Sequence, residues 1–152
     1  MEVFGKFGEI SLQAYKQGFF DMQPYDFSYD CDLKDPEQVA SLEHCMARRN
    51  PRPIVIEFLC RVWSPLQGLT AGNPRARRKE LRRRQISETP FLQLTERLFL
   101  TQPEKSDDAL AENPWISRAR AEPEIQRLGQ RGDCYVATRH QCRFNERHLF
   151  SG

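Results

Sequence analysis

No apolar run in this 152-residue chain approaches the roughly 18 residues that a membrane-spanning helix requires. The first residues also lack the apolar centre of a secretory signal peptide, so the expectation is an intracellular chain without a membrane segment. Cysteine is sparse and unpatterned. Cys31, Cys45, Cys60, Cys134 and Cys142 are odd in number and include no Cys-x-x-Cys pair, which argues against a disulfide framework and a zinc knuckle. There are three histidines. His44 has no second metal-type residue at ligand spacing, and no metal site is expected. An excess of one charge is missing as well: 23 basic residues face 21 acidic ones, a net charge of +2, so the chain as a whole is not a polycation. With 39% hydrophobic residues it has enough apolar material for one packed domain, which excludes a disordered polymer.

What is present is local. Pro53-Ile54-Val55-Ile56-Glu57-Phe58-Leu59-Cys60 is an apolar, β-branched run too short for a helix, with proline at a position tolerated at the start of a strand. It reads as the buried central strand of a parallel sheet, with Cys60 at its carboxyl end. In open α/β sheets that edge is where ligands and reacting groups gather. A core cysteine is the alternative, because free cysteine is among the most buried residue types.

Other segments alternate around this strand. Met1 to Phe4 reads as a first strand, followed by a glycine turn (Gly5, Gly8) and a helix from Ile10 to Gly18. Gln23 to Ser28 reads as a short second strand. Asp35-Pro36-Glu37 combines an N-cap, a first-turn proline and an early acid, and so starts a helix with Val39, Leu42, Cys45 and Met46 on one face. Thr89-Pro90 carries the same kind of start signal for a helix burying Leu92, Leu94, Leu98 and Leu100. Asp107 to Ala111 is a candidate strand, Glu122 to Gly129 a short helix, and Cys134 to Thr138 another strand, with a partial last one near Phe144, Leu149 and Phe150. Strands alternating with amphipathic helices call for an α/β fold with a mainly parallel, Rossmann-like sheet.

Residues 68–88 stand apart as a basic loop or helix inserted after the cysteine strand. Arg75, Arg77, Arg78, Lys79, Arg82, Arg83 and Arg84 fall within it. Guanidinium groups at this density can neutralise nucleic-acid phosphates. A solvated helix face and a nuclear-localisation patch are the competing explanations.

Three stretches carry a resemblance: Cys60 followed by Trp63-Ser64-Pro65-Leu66-Gln67, then Glu112-Asn113-Pro114, then Gln141-Cys142-Arg143-Phe144. Together they resemble the cytosine-5 DNA methyltransferases, and more closely their divergent methyltransferase-like relatives. The resemblance implies that Cys60 attacks C6 of cytosine and that Glu112 hydrogen-bonds and protonates N3. It implies S-adenosylmethionine as cofactor, held by Glu2, Phe4, Gly5 and Gly8 of the opening strand and turn, with Asp26 on the ribose and Asp32 on the adenine amino group. Ser64 and Gln67 would hold the cysteine loop, and Asn113 and Pro114 would shape the turn after Glu112. The partner implied is nucleic acid, DNA first, with the basic segment closing over it as a base is flipped out.

The chain departs from the family at Leu59, where proline is expected, and at Lys6, where glycine is expected. The resemblance implies a single, partial methyltransferase-like domain over residues 1–152. The target-recognition region is not represented, and a partner chain is a candidate to complete it. Three functions stay open at this point: an active methyltransferase, a non-catalytic nucleic-acid-binding remnant of that fold, and a structural domain with a basic helix.

Overall fold

The computed structural model describes residues 1–4, 9–19, 24–58, 61–68, 73–102, 108–114 and 116–137. Three short strands form one open parallel sheet: β1 (Glu2–Val3), β2 (Ile54–Ile56) and β3 (Ala109–Ala111), in spatial order β1-β2-β3. Glu2 pairs with Val55 and Val3 with Ile56; on the other side Ile54, Val55 and Ile56 pair with Ala109, Leu110 and Ala111. The strand expected at the centre is therefore there. Helices α1 (Glu9–Lys16) and α2 (Pro36–Arg49) lie in the connection from β1 to β2, and α3 (Pro74–Thr101) lies in the connection from β2 to β3. A further helix, α4 (Pro123–Gly129), packs on α3. The class is mixed α/β with a small open parallel sheet and helices.

Local chemistry accounts for most element ends. The Asp35 carboxylate accepts the Glu37 amide at 2.9 Å to cap α2, and Pro36 supplies a preset φ in its first turn. Asn50 closes α2 in the left-handed conformation and returns its N–H to the Met46 carbonyl. Gly18, at φ +81°, ends the turn after α1, where a Cβ would be strained.

One apolar cluster joins the layers. It contains Val3, Ile54 and Ile56 of the sheet, Leu42 and Met46 of α2, Leu92, Leu94 and Leu98 of α3, and Trp63 from the turn after β2. Burying each such large side chain contributes about 1.5–3 kcal/mol; of the residues expected to face inward, Leu42, Met46, Leu92, Leu94 and Leu98 are buried, whereas Val39, Cys45 and Leu100 are half-buried. His44 lies on the exposed side of α2.

Three expected elements differ. The stretch from Pro24 to Ser28 contributes a single bridge, Tyr25 to Val3, because a one-turn 3-10 helix begins at Phe27 under the Asp26 cap. No strand forms over Cys134 to Ala137, where Tyr135 and Val136 stand 92% and 62% exposed with no neighbour to pair with among the described residues. Thr138, Phe144 and the chain beyond lie outside the described residues.

The third difference concerns Thr89-Pro90. No helix starts there: α3 runs from Pro74 through Pro90 to Thr101 as one 28-residue helix, and its true N-cap is Asn73, whose Oδ1 accepts the Arg75 and Ala76 amides. Pro90 withholds one N–H from the helical ladder, yet both sides of it are pinned. Upstream, the Gln85 side chain donates to the Val62 carbonyl at 3.3 Å; downstream, Phe91, Leu92 and Leu94 are buried. Side-chain anchorage on both sides overrides the local start signal.

Candidate functional site

Parallel strands send their carboxyl ends to one edge, and here the ladder extends slightly past the strands. The Glu57 amide donates to the Val3 carbonyl at 2.9 Å, and the Glu112 amide donates to the Ile56 carbonyl at 2.9 Å. Beyond them, Asn113 Nδ2 donates to the Phe58 carbonyl at 3.0 Å. The turn Glu112-Asn113-Pro114 is thereby tied to the chain leaving β2. Leu59 and Cys60 lie outside the described residues, so the structure gives no separation between Cys60 and Glu112.

The edge is acidic. Partial burial raises the Glu112 carboxyl above its usual range, although the side chain keeps an exposed face. Glu57, half-buried, is raised by burial first and then by Glu2, Glu112 and Asp26. Charged carboxylates facing one another hold protons more firmly than isolated ones. No motif in the sequence marks Glu57. Its signal was an acid interrupting an otherwise apolar run from Ile54 to Leu59.

Residues assigned to the cofactor are held in several ways. Glu2 is 2% exposed, and its Oε2 accepts the Ser11 amide at 2.9 Å in the first turn of α1, where unpaired amides and the helix dipole favour an anion. Phe4 follows β1 with φ 63°, an uncommon region for a bulky residue, and its amide donates to the Tyr25 carbonyl. This turn directs its ring into the core, edge-on to Phe91 at 5.1 Å between centroids. Asp26 Oδ1 accepts the Ser28 amide and Asp32 Oδ1 accepts the Lys34 amide, the local turn bonding for which aspartate is selected at such sites. Gly5 and Gly8, with Lys6 between them, lie outside the described residues.

After β2 the chain makes two 3-10 turns, Arg61–Trp63 and Pro65–Gly68. Trp63 is 1% exposed and anchors the first in the core. The Ser64 hydroxyl accepts the Leu66 amide at 3.2 Å, and the Gln67 amide donates to the Ser64 carbonyl. Both residues thus belong to the hydrogen bonding of their own turn, and Arg61 is exposed at its start.

The basic segment is helical from Pro74 onward. Arg75, Arg78, Lys79, Arg82, Arg83 and Arg84 are exposed and Arg77 is half-buried. Glu80 pairs with Arg84 at 2.9 Å and more loosely with Arg83 at 3.8 Å, and Glu122 reaches Arg82 at 3.8 Å. Among the described residues Arg75, Arg78 and Lys79 have no acidic partner.

No group of three or more histidine, cysteine or carboxylate side chains among the described residues could hold a metal ion. For S-adenosylmethionine the fit lies in charge. A cationic sulfonium would relieve the Glu57 carboxyl, which burial and its acidic neighbours raise, and the Glu112 carboxyl, which burial raises, while the Asp26 and Asp32 side chains each have a second oxygen with which to accept from hydroxyl or amino groups. Comparison with known proteins returns no match: no family model, no curated protein and no solved structure aligns with the chain.

Proposed function

We propose that the chain is a Rossmann-like, S-adenosylmethionine-dependent methyltransferase-like protein acting on cytosine in DNA, with reduced activity. The observation that carries this reading is the bond from Asn113 to the Phe58 carbonyl, which joins the Glu-Asn-Pro turn to the segment leading to Cys60. Strand order adds support, since Tyr25, β1, β2 and β3 are neighbours in that sequence and all run parallel. In this reading the Cys60 thiolate attacks C6, and Glu112 protonates N3, relieving the charge that the attack creates. A carboxyl raised by burial suits that task, because it keeps a proton to give at higher pH. The cofactor supplies the methyl group. Asp26 and Asp32 would hold its ribose and adenine, and Glu2 would keep α1 in place behind it.

A second reading, a non-catalytic nucleic-acid-binding remnant of the same fold, is favoured by one observation. The Phe4 ring, assigned to the cofactor, is committed to the core against Phe91.

An oligonucleotide carrying 5-fluorocytosine separates the two readings, since fluorine at C5 blocks the final elimination and traps the cysteine adduct. The expected result is a slow, cofactor-dependent adduct, abolished in Cys60→Ser and weakened in Glu112→Gln. Failure to bind S-adenosylmethionine by calorimetry, together with no adduct, would establish the remnant.

A further inference from the structure

The first three turns of α3 have an unusual electrostatic construction. No residue from Asn73 to Arg84 is buried, and the first buried side chain of the helix is Gln85. At about 100° per residue, Arg78, Arg82, Arg75, Lys79 and Arg83 fall in that order within an arc of about 140°. The half-buried residues Arg77, Glu80 and Leu81 lie on the opposite side. This arc is full of repulsion at helical spacing: Arg75 with Arg78 and Lys79, Arg78 with Arg82, Lys79 with Arg82 and Arg83. The first turn has no acid, so these cations also face the positive end of the helix dipole. Only two loose pairs offset this repulsion, Arg83 with Glu80 and Arg82 with Glu122, both at 3.8 Å, whereas a row of phosphates on either flank would turn the whole arrangement favourable.

Shape narrows the partner. The basic half, Pro74 to Arg84, is about 16 Å long and, like any α-helix with its side chains, about 10–12 Å across. A B-form major groove is about 12 Å wide and admits such a rod, while the deep, narrow major groove of A-form RNA does not. Arg78 and Arg83 mark the two flanks of the arc and would face opposite phosphate walls. Arg75, Lys79, Arg82 and, one turn on, the 59% exposed Ile86 form its centre line towards the base edges, with Arg82 exchanging its 3.8 Å contact to Glu122 for the DNA.

We propose that the basic half of α3 is a preformed docking helix that enters the major groove of duplex DNA. The inference rests on the nucleic-acid reading of this segment and is independent of cytosine chemistry, because binding is measured without cofactor and the adduct is scored separately.

The test is fluorescence anisotropy with the full chain, using a 20-base-pair DNA duplex, the same sequence as an RNA duplex, its single DNA strand, and vesicles of phosphatidylserine and phosphatidylcholine. The DNA duplex is expected to bind at least about tenfold more tightly than either other nucleic acid, and vesicles not to compete for it. Replacing the two flanking residues, Arg78 and Arg83, by Gln, which preserves helix propensity, should flatten the dependence of log K on log salt by roughly 1.8, or about 0.9 per phosphate contact. A helix-weakening variant that keeps every cation, Ala76→Gly with Leu81→Gly, should weaken duplex binding by about tenfold or more. Equal affinity for DNA and RNA duplexes, preference for the single strand or the vesicles, or an unchanged affinity of the double-glycine variant would each overturn the proposal.

Discussion

Replacing Pro90 by alanine tests the continuity of α3, because the two ways of building this segment predict opposite signs. Pro90 lies sixteen positions beyond the N-terminal Pro74 of a helix that continues to Thr101, and its own side chain is exposed. In a helix interior, proline is about 3 kcal/mol worse than alanine, through the missing N–H and the clash of its ring with the carbonyl four residues back. Alanine would restore a bond to the Ile86 carbonyl. Against this, proline restricts the unfolded chain, which offsets roughly 0.4–1 kcal/mol. The local hydroxyl bonds of Ser87 to the Arg84 carbonyl and Thr89 to the Gln85 carbonyl remain in either case. The expected net gain is about 2 kcal/mol, which for a domain of this size raises the melting temperature by roughly 4–8 °C. Thermal and urea denaturation followed by circular dichroism measure it, and the new amide at position 90 should be protected in hydrogen exchange. If a separate helix began at Thr89-Pro90, proline would occupy a favoured first-turn position, and the substitution would be neutral or destabilising. A loss of stability with an unprotected amide would therefore refute the continuous helix.

Glu57→Gln should make the protein more stable near neutral pH. The Glu57 carboxyl is raised above its ordinary 4.5 by burial and by Glu2, Glu112 and Asp26, so its neutral form stabilises the fold fully below that value and the contribution is lost as pH rises through the folded-state value. Glutamine imitates the neutral form, so its advantage in urea denaturation should shrink as pH falls towards 4.5; an advantage independent of pH would exclude the electrostatic cause. Leu92→Ala, at 1% exposure in the joint between α3 and the sheet, should cost about 2–5 kcal/mol, whereas Ile86→Ala, 59% exposed on the same helix, should stay within about 0.5 kcal/mol. Comparable losses at the two positions would mean that the helix faces are assigned wrongly.

Much of this fold could be read from short-range chemistry. The Asp35-Pro36-Glu37 start, the β-branched run Ile54–Ile56 and the glycine after α1 appear where their residues predict them. Capping, proline geometry and positive φ act within a few residues and need no partner. Wherever the outcome depended on a neighbour, sequence alone did not determine it. Tyr25 pairs at one position because Asp26 starts a helical turn beside it, and Tyr135-Val136 forms no strand because no partner strand adjoins it among the described residues. Pro90 stays inside a helix because Gln85 is tied to the Val62 carbonyl before it and Leu92 and Leu94 are buried after it. Glu57 belongs to the acidic edge because folding brings Glu2 in β1, Glu112 just after β3 and Asp26 beside the Tyr25 bridge within electrostatic reach of it, although Glu2 and Glu112 each lie 55 residues away along the chain. Charge and packing between elements are sums over space, and only the folded chain decides which residues share that space.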